Sequence, residues 1–123
     1  MKPKTIMIDE QEYVRSDTIK TNEVAEKHKG LSYVIVRTHS AGVFAGYLEE
    51  REGQEVKLLK ARRLWYWEGA ATLSQLAIEG VKKPEECKFT MEVNRVELLQ
   101  AIEIIECTKQ AQENINEVAI WKE

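Results

Sequence analysis

Residues 33–67 read YVIVRTHSAGVFAGYLEEREGQEVKLLKARRLWYW, and the reading of this stretch decides the fold. Tyr33 to Thr38 is almost wholly apolar, which predicts a strand covered on both faces. Ser40-Ala41-Gly42 turns. Val43 to Glu49 gives a second strand, with Phe44, Gly46 and Leu48 on one face and Val43, Ala45 and Tyr47 on the other. A glycine at the centre of such a run, Gly46, predicts a sharp bend or the close approach of another backbone. Arg51-Glu52-Gly53 marks a hairpin turn in which Gly53 is free to take a positive φ. Val56 to Leu59 opens a third strand that continues through Ala61 to Trp67.

Towards the N-terminus the signals weaken. Thr5 to Ile8 and Tyr13 to Arg15 predict a small hairpin around the polar Asp9–Glu12 turn. Thr21 or Asn22 is placed to cap a short helix through His28, with Gly30 at its C-terminal stop position. Towards the C-terminus, Ala70 to Ile78 carries Leu73, Leu76 and Ala77 at helical spacing and ends at Gly80. Lys82 to Glu86 reads as a surface turn and Lys88 to Val93 as a strand. Val96 to Ile105 fits a helix face and a strand, and IEII tips it towards strand. Thr108 caps a last helix over Lys109 to Asn116, and Val118 to Trp121 is a final short strand. The expected fold is α+β: a small, mainly antiparallel, strongly bent sheet with two or three short helices. One domain over 1–123 is expected, with the N-terminal hairpin and short helix in 1–31 and the sheet core with its helices in 32–123.

Composition narrows the function classes. With 123 residues there is room for one modest core, and a net charge of −3 argues against general affinity for nucleic acid. No apolar run approaches a membrane span and no signal peptide is visible, so a cytoplasmic protein without a membrane partner is expected. The two cysteines and two histidines make neither a disulfide framework nor a metal spacing, and no cofactor motif is present. His39-Ser40 are adjacent, but neighbours on a strand point apart. The paired carboxylates sit in solvent-facing turns. No catalytic residue is assigned, and no enzyme is expected.

The densest chemistry is a binding inventory. Lys57, Lys60, Arg62 and Arg63 run directly into Trp65, Tyr66 and Trp67. A guanidinium grips phosphate and an indole offers a plane for a base. On a regular strand, Arg63, Trp65 and Trp67 share one face and Arg62, Leu64 and Tyr66 the other. Adjacent arginines on a strand cannot both be idle surface charges: one must point into a core, a pocket or an interface. Arg37, Arg62 and Arg63 are therefore candidates for phosphates, Trp65 and Trp67 for base stacking, Ser40 for a further donor, and Asn94 for a ribose or base edge. The competing reading makes the tryptophans plain core residues with an arginine snorkelling over them.

The segments YVIVRTHSAGVFAGYL and ARRLWYWEGAATLSQLA, followed by KPEECKF and AIEII, resemble the signature of a family of small phage and prophage proteins. The resemblance covers roughly Ser32 to Thr108. The chain is also similar to the phage Thoeris anti-defence sponge proteins. That resemblance implies a non-catalytic oligomer that sequesters a nucleotide immune signal, a cyclic ADP-ribose isomer, in a pocket between protomers in the host cell. Its bent, glycine-bearing strands resemble Sm-like small barrels as well, which implies the alternative of a protein binding single-stranded nucleic acid. A structural or regulatory phage protein without a small ligand is the remaining alternative.

Overall fold

The computed structural model describes residues 23–123; the expected N-terminal hairpin lies outside them. Six strands run β1 Tyr33–Thr38, β2 Val43–Glu52, β3 Glu55–Tyr66, β4 Lys88–Phe89, β5 Val93–Leu98 and β6 Ala101–Glu106. The helices are α1 Leu73–Glu79 and α2 Lys109–Glu117, with a 3-10 turn at Pro84–Glu86. Strand order is β4-β3-β2-β1-β6, and β5 pairs with the first half of β3. All strand pairs are antiparallel, so the fold is a mainly antiparallel sheet with two helices among the described residues. None of these helices is long and apolar enough to cross a membrane.

Both sheet faces are buried, as the unbroken apolar run in β1 requires. On one side Tyr33, Ile35, Ala45 and Leu64 pack against Leu76 and Ala77 of α1 and Ala111 and Ile115 of α2. Each large apolar side chain there contributes on the order of 2–3 kcal/mol. The other cluster is built from strands alone: Val34, Val36, Phe44, Val56, Leu58, Ala61, Leu98 and Ala101. Val36, Val56 and Leu58 are fully shielded although no helix residue belongs to that cluster, so the sheet must curve over its own inner face. Its two ends, β5 and β6, are joined by the two-residue link Leu99-Gln100 but are not paired with each other, and the sheet stays open.

Two compensating bulges shape the central hairpin. Ala45 faces Arg62 and Tyr47 faces Leu59, so β3 carries an extra residue, at Lys60, whose φ is 51°. Between Leu48–Leu58 and Glu50–Lys57 the extra residue is on β2, at Glu49, and the register is restored. Gly46 sits opposite the first bulge, where an added Cβ would lie 3.0 Å from the Leu59 oxygen and 3.1 Å from the Ala61 Cα. This is the close backbone approach that its position predicts.

The helix expected from Asn22 to His28 is not there over the described residues 23–28. Val24 bridges to Thr108, and His28 and Leu31 close a tight turn on Lys29 (φ 52°) and Gly30 (φ 81°). Thr72 and Thr108 cap α1 and α2 through side-chain oxygens that accept from Gln75 and Ala111. Lys88 to Val93 is not one strand: it breaks at Thr90–Glu92, and the ambiguous 96–105 run is strand divided by the Leu99-Gln100 link. The final strand reduces to one parallel bridge, Ile120 to Phe89.

Two outcomes are expected. Gly46→Ala forces backbone against backbone at the bulge and should lower unfolding free energy by about 1–3 kcal/mol in urea titrations. Cys107 is buried, and this pushes its thiol up to about 12. The unfolded thiol ionises near pH 8.5. The folded form keeps its proton longer, so stability should fall as pH rises through that window, by up to about 1.4 kcal/mol per unit. Tyr33, also raised by burial, adds to the fall above about pH 10. Cys107→Ala should flatten the slope of unfolding midpoint against pH between the two thiol values.

Candidate functional site

The end of β3 separates the two arginines as strand parity requires. Arg62 points to the helix-covered side and is only 4% exposed. Its Nε donates to the Thr90 oxygen at 2.8 Å, and Nη1 donates to Ile115 and Val118 oxygens at 2.7 and 2.9 Å. Nη2 donates to Phe89 and Ala119 oxygens at 3.1 and 3.5 Å. Every guanidinium N–H thus meets a main-chain carbonyl. Two of the acceptors lie at the end of α2, where the helix dipole is negative. Burial pulls the Arg62 pKa below the ordinary guanidinium value. The phosphate role expected for Arg62 is therefore corrected: its donors are committed, and it holds β3, β4 and the end of α2 together.

Arg63 turns to the other side. Its Cζ lies 4.8 Å from the Phe44 ring centroid, and it takes part in none of the ion pairs among the described residues. The Arg63 main chain is pinned to Thr90: its N–H donates to Thr90 Oγ1, and the Thr90 N–H donates to the Arg63 oxygen. Arg63 borders a hollow of about 320 Å3 lined by Phe44, Ala61, Thr90, Met91, Val93 and Val96. Two residues on, Trp65 is 62% exposed. An uncompensated guanidinium above an apolar floor, with a hydroxyl at the rim and a bare indole on the same strand, can hold a small planar anion. The hollow is at the low end of ligand-pocket sizes.

The other expected site residues do not converge here. Trp67 follows the last residue of β3, where alternation stops, and packs against the helix-side cluster instead of standing beside Trp65. Arg37 is engaged with Glu103 at 2.9 Å. Ser40 donates to Gln100 Oε1 at 3.0 Å beside a separate hollow under the Leu99-Gln100 link. Asn94 is exposed on β5. Sequence reasoning missed Phe44, Thr90 and Met91. For Phe44 the signal was its place on the same strand face as Gly46 and Leu48; Thr90 and Met91 gave none. It also missed a second cation–aromatic cluster, in which Lys88 Nζ lies 6.0 Å from the Tyr66 ring centroid and 5.4 Å from that of Trp121. No grouping of three metal-ligating side chains occurs among the described residues.

Residues 31–115 match a family model described as a domain of unknown function, DUF6948. The chain belongs to the DUF6948 family. No curated protein and no solved structure matches it. The DUF6948 match takes in Arg62, Arg63, Thr90 and the Ile115 carbonyl. It stops short of Val118 and Ala119, so part of the Arg62 cradle lies beyond it.

The two arginines should behave differently when removed. Arg62→Ala leaves several buried carbonyls without donors and should lose about 3–5 kcal/mol of unfolding free energy. Arg62→Lys should restore less than half, because one ammonium cannot span that set of acceptors. Arg63→Ala should stay within about 1 kcal/mol of the parent protein in the same urea titration.

Proposed function

We propose that this DUF6948 protein is a non-catalytic binding protein for a nucleotide-derived signal. In its specific form it is a phage-encoded sponge that sequesters a cyclic ADP-ribose isomer in the host cytoplasm and so inhibits bacterial anti-phage defence. The observation that carries the reading is Arg63, a cation without an ion-pair partner among the described residues, resting on Phe44 beside Thr90 and the exposed Trp65. Arg63 is assigned to phosphate and Trp65 to stacking on a base. Arg62 and Trp67 are structural. The resemblance of the sequence to phage sponge proteins supplies the ligand class. A hollow of about 320 Å3 holds one base or one phosphate group more readily than a whole dinucleotide-sized ring, which is consistent with a site completed between protomers.

A second reading is favoured by the sheet itself. Five strands in the order β5-β3-β2-β1-β6, lying over a strand-only core with their unpaired ends joined by two residues, form an open sheet with the strand number of a small barrel. The corresponding function is binding of single-stranded nucleic acid, with the Arg63–Trp65 face as a stacking platform.

One experiment separates the two. The purified full chain is incubated with cyclic ADP-ribose isomers or with short oligonucleotides, recovered, and heat-denatured, and the released material is analysed. Intact cyclic nucleotide in the released fraction is expected. Release of a chemically altered nucleotide would mean catalysis. Retention of oligonucleotide alone, weakening steeply with salt, would establish the nucleic-acid reading. Arg63→Ala should reduce capture about 10- to 100-fold, the worth of one charged hydrogen bond, and Trp65→Ala should reduce it comparably. Circular dichroism of both variants should match the parent protein. Normal capture by the double variant would remove this site.

A further inference from the structure

The outer edge of β5 is self-complementary, and we infer that it pairs with the β5 edge of a second copy across a two-fold axis. The hydrogen-bond phase of the hairpin sets which groups face outwards. The two-residue turn at Gly53-Gln54 makes Glu52–Glu55 a hydrogen-bonded pair, so Val56 and Leu58 turn their main-chain groups towards β5. Their partners there are Leu98 and Val96. Arg95 and Glu97 therefore direct their N–H and C=O groups away from the sheet, and among the described residues no other main-chain bond engages them. An unpaired edge without proline or lysine is a template for another strand.

The sequence around that edge names the strand. Residues 93–99 read VNRVELL. A two-fold axis through Val96 makes the pairing antiparallel and sets Arg95 opposite Glu97 of the second copy, twice by symmetry. In this register the outward-facing main-chain groups fall opposite one another, and each such pair exchanges both its bonds. The same register sets Val93 against Leu99, which are 45% and 65% exposed. Both charged residues already have partners within the chain, Arg95 with Glu49 at 2.8 Å and Glu97 with Lys57 at 3.8 Å. A second copy adds an opposite charge to each. The other open edge, β6, presents Glu103 and Glu106 with no cation of its own and lacks this match. Val93 and Val96 line the Arg63 hollow, so the pairing brings the second copy's Leu99 to its wall. The pairing itself does not depend on the ligand reading, and loss of capture with an intact dimer would count against the ligand alone.

Charge exchange tests it on the full chain by sedimentation velocity over a dilution series, with circular dichroism as the folding control. The parent protein is expected to dimerise reversibly. Arg95→Glu places like charges opposite one another twice and should raise the dimer dissociation constant by about tenfold or more. Adding Glu97→Arg in the same chain should restore it. That double variant worsens the intrachain contacts with Glu49 and Lys57, so a purely intrachain role predicts further loss instead. If charge exchange unfolds the chain, hydrogen exchange on the parent protein decides, with the Arg95 and Glu97 amides slow in the dimer and fast on dilution. A parent protein monomeric at millimolar concentration, a dimer indifferent to both variants, a double variant as dissociated as the single one, or unprotected Arg95 and Glu97 amides in the dimer would each overturn the inference.

Discussion

The guanidinium of Arg62 sits in the interior over the Phe89 ring, and its hydrogen bonds go to main-chain oxygens drawn from β4, the residue after it, the last turn of α2 and the two residues beyond that helix. A buried cation is usually matched by a carboxylate. Here the compensation comes from peptide dipoles, several of them belonging to carbonyls that helix and strand geometry leaves unsatisfied. The arrangement solves two problems together: the charge is solvated by dipoles, and the orphan acceptors find donors. Segments far apart in the chain are thereby tied to one point on β3. Because the network is buried and fully satisfied, it specifies their relative placement more stringently than apolar packing alone.

The same strand shows how a hub and a candidate binding group can be consecutive residues. With Arg62 committed inwards, Arg63 emerges on the other side, where Phe44 supports it and Thr90 fixes its main chain. Thr90 serves both, since its carbonyl accepts from Arg62 and its hydroxyl accepts from the Arg63 N–H. The candidate site is therefore anchored through the core network.

Much of this was legible in the residues. Period-two alternation gave the faces of β2, and Thr72 and Thr108 lie where side-chain caps were needed, although Thr72 was read as helix interior. The demand that adjacent strand arginines diverge anticipated a buried one. Which arginine goes inside was not legible, because it depends on the bulge at Lys60, a non-glycine residue at positive φ that composition does not announce. Trp67 was misplaced because alternation was carried one residue past the end of β3. Leu99-Gln100 escaped notice because neither residue is a turn former, and the 23–28 segment was mistaken for a helix because a capping residue and a glycine flank it. In each case tertiary pairing overrode a local signal.

The paired bulges give the β2–β3 hairpin a phase that is shifted only between Glu49 and Lys60 and is identical on either side. Changes of length at the Gly53-Gln54 tip therefore leave the inner and outer faces of the hairpin's base as they are. The same holds at the bulge in β3. Lys60 is its extra residue, so loss of Lys60 would close the bulge and leave Arg62 opposite Ala45 and Arg63 opposite Phe44. The division of duties between the two arginines is thus set by their pairing with β2, and it withstands a change of length at either place.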